Sequence, residues 1–194
     1  MRLVVVGNSG SGKTTMAKAL SAALGLPHVE LDAVNWQPGW YDIATNEPAE
    51  FFRRVVEAAA GESWVMDGNY TKARDAHWTR ATGFVWMDTE RWVVMRRVIW
   101  RSFSRAVTKQ ELWPGSGNRE LFRKWVEKGH PIRWAWDNWA MNRERYSKMF
   151  AGGAFEGRPA YRVGNAREGR ALVARLAAER AAQALPIRAT GAIL

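Results

Sequence analysis

The sequence predicts an α/β fold in which a parallel sheet of about five strands is covered by helices on both faces. Short apolar runs of strand length alternate with longer stretches of helical pattern. A glycine-rich turn joins the first strand to the first helix, and aspartates end three of the later strand-like runs, at Asp32, Asp67 and Asp88. Because the carboxyl ends of parallel strands meet at one edge of a sheet, we expect the turn and the aspartates to lie together there.

The first part of the chain supplies three strands and two helices. "RLVVV" is an apolar run typical of a buried strand, and the helix after it ends at Gly25, a residue common at helix C-termini. Pro48 suits the first turn of a second helix. The expected bounds are strand 2–6, helix 14–25, strand 28–32, loop 33–47, helix 48–60 and strand 63–68.

The rest of the chain continues the alternation around a long basic helical region. "WPGSGN" interrupts that region, since proline and glycine break helices. We expect one domain at 1–185 with a helical lid at about 96–146, and a mobile tail without an assigned role at 186–194. The expected bounds are strand 83–88, helix 90–107, helical stretches to about 150, strand 160–163 and helix 167–185.

The turn "GNSGSGKT" matches the pattern G-x-x-x-x-G-K-[ST] at Gly7, Gly12, Lys13 and Thr14. In such a loop the backbone N–H groups surround phosphate oxygens, the lysine reaches the β- and γ-phosphates, and the Thr14 hydroxyl binds Mg²⁺. The predicted fold is therefore a three-layer P-loop NTPase fold that binds ATP and Mg²⁺. The expected nucleotide-binding residues are Gly7, Asn8, Ser9, Gly10, Ser11, Gly12, Lys13, Thr14 and Thr15.

Composition and motif order exclude several classes of protein. The glycine order differs from G-x-G-x-x-G, which disfavours nicotinamide chemistry. There is no cysteine, which excludes disulfides and thiolate catalysis. The three histidines, His28, His77 and His130, lie far apart in sequence, so surface or packing roles are favoured over a metal cage.

The net charge of +10 favours anionic partners, which include nucleotides, phosphorylated metabolites and nucleic acid. No apolar run reaches the length of a membrane span, and Met1 leads directly into a strand-like run. We therefore expect a cytoplasmic protein with no membrane partner.

Three aspartates at strand ends are candidates for chemistry. Asp67 is predicted to hold the Mg²⁺ water shell together with Thr14, with Asp88 as the runner-up; the alternative for either is a helix cap. Asp32 is predicted to orient or deprotonate an attacking hydroxyl, with a cap or loop role as the alternative.

The helix "RWVVMRRVIWRSFSR" carries a second catalytic candidate. Arg97 and Arg101 are four residues apart and share one helix face, so both are expected to close over the phosphates. Arg143 and Arg145 are expected to complete this cation set. A solvated basic face is the alternative for each pair.

These segments resemble the adenylate-kinase-like superfamily of small-molecule kinases. "VMDGNY" resembles the strand end of nucleoside monophosphate kinases, and "MDTERWVVMRRVIWR" resembles their fourth strand and the helix entering the lid. The resemblance implies that Arg97 stacks on adenine and Arg101 binds phosphate. "DNWAMNRERY" is similar to the helix leaving the lid, which implies phosphate contact and a catalytic role for Arg143.

The chain more closely resembles the bacterial P-loop group of DNA topology modulation proteins (FlaR-like). "LDAVNWQPGW", "DGNY" and "RWAWDNW…NRERY" recur there in this order. One departure concerns the superfamily's acceptor: monophosphate kinases have Phe-Pro-Arg where this chain has Asn69, Tyr70 and Thr71, so a nucleoside monophosphate acceptor is in doubt. Arg74 and Arg80 are the candidates to replace that arginine.

The acceptor is predicted to be a flat or partly apolar molecule bearing a hydroxyl, or a base. An alternative function is a nucleotide-gated nucleic-acid-binding protein, or a kinase acting on a nucleic-acid end. Its candidate stacking residues are Trp134, Trp136 and Trp139, for which core or lid packing is the competing interpretation. The expected acceptor-binding residues are Asp32, Trp36, Trp40, Asn69, Tyr70 and Arg74.

Overall fold

The computed structural model describes residues 1–122, 125, 127, 129–153, 155 and 157–184. Five strands form one parallel sheet, and two short strands form a separate hairpin. The strands are β1 Arg2–Gly7, β2 His28–Glu30, β3 Trp36–Gln37, β4 Tyr41–Asp42, β5 Trp64–Asp67, β6 Gly83–Met87 and β7 Ala160–Val163. The helices are α1 Lys13–Leu24, α2 Leu31–Asn35, α3 Ile43–Asn46, α4 Pro48–Ala58, α5 Arg74–Trp78, α6 Arg91–Thr108, α7 Pro131–Ala151 and α8 Ala166–Ala184.

The sheet order is β2-β5-β1-β6-β7, which places β1 at the centre. Val5 pairs with Asp67 on one side of β1, and Gly7 pairs with Met87 on the other. The end of β1 therefore lies between the ends of β5 and β6, and the turn after Gly7 opens at the edge predicted from the sequence. The predicted five-strand parallel sheet with helices on both faces is confirmed.

Alternation along β1 divides the core into two layers. Leu3 and Val5 pack with α1 and α8 on one face of the sheet. Val4 and Val6 pack on the other face, in a cluster that includes Tyr146 of α7. Successive side chains of a strand point to opposite faces, so the single run "LVVV" serves both layers.

The region after β2 differs from the expectation. The second strand ends at Glu30 instead of continuing to Asp32, which lies in the first turn of α2. The predicted loop at 33–47 contains the rest of α2, the β3–β4 hairpin and α3. Asn35 stabilises this arrangement because its buried side-chain oxygen accepts a hydrogen bond from the Ala44 N–H at 2.7 Å.

α6 and α7 are the long helices of the predicted lid region and pack against each other. Val94 and Val98 of α6 meet Ala135 of α7 in a small apolar cluster. Among the described residues no helix is both long and apolar enough to cross a membrane. The predicted tail at 186–194 lies outside the described residues.

Candidate functional site

The loop between β1 and α1 has a backbone that only glycine accommodates at two positions. Gly7 has φ 147°, and a Cβ there would lie 2.7 Å from the Met87 carbonyl oxygen. Gly10 has φ 79°, and a Cβ there would lie 2.9 Å from the Val94 carbonyl oxygen. The glycines thus let the loop approach both β6 and α6, which leaves a backbone cradle of the kind that phosphates occupy.

Buried side-chain bonds tie the loop to α7. The Asn8 amide donates to the Ala135 carbonyl oxygen at 3.0 Å and accepts from the Asn142 amide at 3.2 Å. Asn8 and Asn142 are both buried. The Asn8 side chain, predicted to contact nucleotide, therefore serves to hold the loop.

A second set of bonds ties the loop to the segment after β5. The Asn69 amide oxygen accepts from the Gly7 N–H at 3.3 Å, and its nitrogen donates to the Gly7 carbonyl oxygen at 2.5 Å. Tyr146 of α7 also donates to the Asn69 oxygen, at 3.1 Å. Asn69 was expected to contact the acceptor, but both ends of its amide are used to position the phosphate loop.

Lys13 lies over the loop, and its Nζ donates to the Asn8 carbonyl oxygen at 3.1 Å. Burial lowers the pKa of Lys13, while the nearby Asp32 and Asp67 carboxylates act in the opposite direction. An anion bound in the loop would stabilise the charged ammonium, because its negative charge would compensate for the solvation that Lys13 loses on burial.

Asp67 is the centre of a hydrogen-bond chain at the end of β5. Its Oδ2 accepts from the Thr14 hydroxyl at 2.6 Å, and its Oδ1 lies 2.7 Å from Nε2 of His28. Asp67 is buried. The described residues include no cluster of three acidic, histidine or cysteine side chains that could hold a metal.

This chemistry fits Mg²⁺, since that ion commonly uses one or two protein ligands and takes its other oxygens from phosphates and water. Thr14 and Asp67 would hold it as predicted from the sequence. His28 was missed: it was expected at the surface or in packing, and instead it contacts the Asp67 carboxylate. His28 lies on β2, next to β5, so only the strand order could have revealed the contact.

Two arginines of α6 reach the loop together. Arg97 Nη1 donates to the Ser11 carbonyl oxygen at 3.2 Å, and Arg101 Nη2 donates to Ser9 Oγ at 3.3 Å. Burial lowers the pKa of Arg101, and the neighbouring Arg105 adds to this effect. The predicted shared helix face thus meets the loop, while Thr15 of the loop motif is exposed on α1.

Arg143 and Arg145 do not join this cation set. Arg143 Nε donates to Asp88 Oδ1 at 2.9 Å, and Arg162 donates to the other oxygen of the same carboxylate. Arg145 donates to Thr71 Oγ1 at 3.1 Å. Two arginines neutralise Asp88, which argues against it as the runner-up metal ligand, and the Arg143 guanidinium is engaged by this carboxylate. The catalytic role predicted for Arg143 is therefore not supported by its contacts.

A second group of residues lies beside the loop and is here called the acceptor wall, after the role predicted for it. The Asp32 charge acts on Lys13 of the loop. The wall comprises Glu30, Asp32, Trp36, Trp40 and Tyr70. Asp32 Oδ1 accepts from the Tyr70 hydroxyl at 2.7 Å. Burial raises the pKa of Tyr70, and the Asp32 charge raises it further, so Tyr70 stays a hydrogen-bond donor to this carboxylate. The ring of Trp36 lies edge-on to that of Trp40, with centroids 5.7 Å apart.

The segment after α6 covers this wall. Trp113 Nε1 donates to Glu30 Oε1 at 3.2 Å, and the Trp113 ring lies 6.1 Å from the Trp40 ring. Asn118 accepts from the Trp40 N–H at 2.9 Å and donates to the Gln37 carbonyl oxygen at 2.9 Å. The sequence did not identify Glu30, Trp113 and Asn118 as site residues. The stretch "WPGSGN" indicates only a helix break, and no local pattern places it next to Glu30.

The two arginines expected to grip an acceptor phosphate have other partners. Arg74 lies over the Trp78 ring, 4.6 Å from its centroid. Arg80 Nη1 donates to the Ala59 carbonyl oxygen at 2.6 Å. In the described part of the chain neither guanidinium forms a hydrogen bond or ion pair with Asp32, although Arg74 lines a small cavity together with Tyr70.

The three tryptophans considered for nucleic-acid stacking are largely engaged. Trp134 and Trp139 are half-buried, and Trp139 Nε1 donates to the Thr89 carbonyl oxygen at 3.2 Å. Trp136 is exposed, but the Arg91 guanidinium lies 4.0 Å from its ring centroid. These contacts favour lid packing over a stacking platform.

Comparisons with known proteins agree with the P-loop fold. Residues 3–65 match the family model described as "ATPase family associated with various cellular activities (AAA)". Shikimate kinase of Symbiobacterium thermophilum is 38% identical over 102 residues, which cover 46% of this chain. The chain spans 59% of the length of that relative.

Solved structures share the fold over almost the whole chain. Shikimate kinase from Aquifex aeolicus has a TM-score of 0.52 and 18% identity, covering 94% of this chain and 98% of that one. Shikimate kinase from Acinetobacter baumannii in complex with shikimate has a TM-score of 0.50 and 17% identity, covering 95% and 94%. The chain therefore has a P-loop kinase-like fold and is similar in sequence to a shikimate kinase.

Proposed function

We propose that this chain is an ATP- and Mg²⁺-dependent kinase that phosphorylates a hydroxyl of a small molecule. The observation that carries the proposal is the convergence of Lys13 and Arg101 on one phosphate loop, with the Asp32 carboxylate close enough to affect the pKa of Lys13. Phosphoryl transfer requires positioning, charge stabilisation and an orienting carboxylate, and these three groups supply them.

The donor side binds ATP through the loop backbone. Lys13 and Arg101 stabilise the charge that develops on the transferred group, and Arg97 lies at the outer side of the loop, where it suits contact with the adenine. When bound, Mg²⁺ neutralises phosphate charge; Thr14 and Asp67 hold it, and His28 orients the Asp67 carboxylate.

On the acceptor side, Asp32 orients the hydroxyl and accepts its proton. Tyr70 holds the Asp32 carboxylate by donating to Oδ1, which leaves Oδ2 for the acceptor. The covering segment that contains Trp113 and Asn118 limits water access, and exclusion of water favours transfer to the acceptor over hydrolysis.

The decisive experiment follows label from γ-labelled ATP with Mg²⁺ into pooled nucleosides, nucleotides, hydroxylated metabolites and short nucleic acids. Label should move to one pool with the wild-type chain and fall at least roughly 10³-fold with Lys13→Met. Lys18→Met, an exposed lysine on the same helix, is the matched control and should keep full activity.

Asp32→Asn tests the acceptor side separately. It should bind ATP normally and lose roughly 10²–10⁴-fold in turnover, since a positioned base contributes about that much. Full activity of Asp32→Asn would remove Asp32 from the mechanism while leaving the kinase proposal in place.

The resemblance to DNA topology modulation proteins stays a prediction, and nucleic-acid binding is the rival function. The net charge of +10 favours it, whereas the engaged tryptophans of α7 do not. Nucleic-acid affinity that depends on salt and changes with ATP would support the rival.

A further inference from the structure

Two acidic residues of the acceptor wall, Glu30 and Asp32, have no cationic side chain in direct contact among the described residues. In the described part of the chain, no lysine, arginine or histidine nitrogen lies within 4.0 Å of the Glu30 or Asp32 carboxylate. Burial raises the pKa of Glu30, opposed by the Trp113 hydrogen bond, and the Asp67 and Asp32 charges raise it further. A bound cation would stabilise the charged form of Glu30, because it would offset both burial and the repulsion from Asp67 and Asp32.

Bound ATP and Mg²⁺ would leave this charge in place. Lys13 and Arg101 would be occupied by phosphates, and Asp67 by the metal ion. Lys18, the remaining cation that influences Glu30, is exposed on α1. Glu30 and Asp32 would therefore face the acceptor as two carboxylates.

Three arginines near the wall have other partners among the described residues. Arg54 donates to Glu50 at 2.7 Å and to Gln37 at 3.1 Å. Arg74 lies over Trp78, and Arg80 holds the Ala59 carbonyl oxygen. A carboxylate or phosphate on the acceptor would meet the Glu30 charge, which disfavours an anionic acceptor.

The aromatic rings beside Glu30 favour the opposite charge. Trp113 Nε1 donates a hydrogen bond to the Glu30 carboxylate, so the Trp113 ring lies next to that group. The Trp36, Trp40 and Trp113 rings meet edge-on, at interplanar angles of 72° and 78°. Indole faces attract cations, and a carboxylate beside them adds a direct partner for an ammonium.

We propose that the acceptor is a hydroxylated amine, such as an amino sugar or aminocyclitol, whose ammonium binds the Glu30 carboxylate beside the Trp113 ring. Its hydroxyl is directed to Asp32. This inference rests on the proposed kinase function and names the substrate class of the same site.

The reaction is an ordinary ester-forming transfer. The acceptor oxygen forms a bond to the γ-phosphorus, and the bond from that phosphorus to the bridging oxygen breaks. ADP leaves with the electron pair of that bond, and the hydroxyl proton passes to Asp32. The products are a phosphate ester that retains the ammonium group, ADP and a proton released to solvent.

The test uses the full chain, γ-labelled ATP and Mg²⁺ with acceptors matched in shape but not in charge. Glucosamine is compared with glucose, 2-deoxystreptamine with myo-inositol, and gluconate and shikimate serve as anionic probes. We expect kcat/KM to be at least roughly 10-fold higher for the amine of a pair, as one charge-assisted hydrogen bond provides.

Glu30→Gln is the diagnostic variant, and Glu62→Gln is its control because the Glu62 side chain is 95% exposed. Glu30→Gln should raise the KM for amines roughly 10- to 100-fold while changing turnover of the neutral analogues less than about threefold. Glu62→Gln should change neither quantity.

The outcomes separate this inference from the kinase proposal. Transfer that favours amines and loses that preference in Glu30→Gln supports the inference. Transfer to the neutral or anionic probes with no preference for amines, or a preference that Glu30→Gln leaves intact, overturns it and leaves the kinase standing. No transfer to any probe above the Lys13→Met background would count against both.

Discussion

The phosphate loop and the acceptor wall lie at the same edge of the sheet, but they are held in different ways. The loop is fixed by side-chain amides, with the buried Asn8 bonded to α7 and the half-buried Asn69 bonded to Gly7. The wall is closed by hydrogen bonds from Trp113 and Asn118, which belong to a covering segment rather than to the core.

The difference separates two tasks of one site. Buried bonds between core elements give the donor side a fixed geometry, which a group that stabilises developing charge requires. The covering segment lies outside the five-stranded sheet, so changes there can alter the acceptor side without loss of the fold, even though Asn118 itself is buried.

The largest expected effect breaks the donor side. Arg101→Ala should lower kcat roughly 10²–10³-fold, because a preorganised cation on the transferred group is removed. The KM for the acceptor should change less than kcat, since Arg101 is hydrogen-bonded to the loop at Ser9 and acts on Asp32 and Glu30 only through its charge. Steady-state kinetics with both substrates varied would measure this.

Arg96→Ala is the matched control for Arg101→Ala, because Arg96 lies on the exposed face of the same helix. It should leave kcat unchanged. Equal losses in the two variants would mean that α6 acts through its total charge instead of through a placed guanidinium.

An intermediate effect concerns the support beneath the wall. His77 lies in α5, which packs against α4, and burial lowers the pKa of His77 to about 4. The unfolded chain takes up this proton near pH 6.5, and the folded chain does not until about pH 4. The free energy of unfolding should therefore fall as pH drops through this window, by about 3 kcal/mol.

Urea unfolding of the wild type and His77→Gln between pH 7 and 4 would isolate this contribution. The variant should be less stable at pH 7, and the gap between the two proteins should narrow as pH falls. Parallel stability curves across the window would contradict the assignment to His77.

The smallest expected effect comes from a variant that weakens only the contacts of the acceptor wall. Asn118→Ala removes the hydrogen bonds to Trp40 and Gln37, and it should raise the KM for the acceptor roughly 5- to 10-fold with an unchanged KM for ATP. Asn46→Ala, an exposed asparagine bonded to the Asp42 carbonyl oxygen, is the control. A matching rise in the KM for ATP would show that wall and loop are coupled.

The donor side was largely predictable because its signals are local in sequence. The loop motif fixes Lys13 and Thr14, and helical spacing places Arg97 and Arg101 on one face. The sheet followed from the alternation of apolar runs, as the order around β1 confirms.

The other contacts of the site, on both the donor and the acceptor side, were less predictable because they join distant segments. Pairing of His28 with Asp67 depends on β2 lying beside β5, and pairing of Glu30 with Trp113 depends on the path of the covering segment. Asp32 was placed on a strand because "VEL" continues the apolar pattern, yet the helix begins at Leu31. Arg143 was assigned to phosphate contact by resemblance to a helix that leaves a lid, whereas its guanidinium donates to the Asp88 carboxylate.

The edge-on contact between the Trp40 and Trp113 rings gives the protein an optical signal of its own. Two indoles held at a fixed angle and short separation couple their electronic transitions, which produces a paired band of opposite signs in the circular dichroism spectrum. The coupling depends on the ring separation of 6.1 Å and the angle of 78°, so it would vanish when the segment carrying Trp113 moves away. Opening and closing over the acceptor could thus be followed in time without any attached dye.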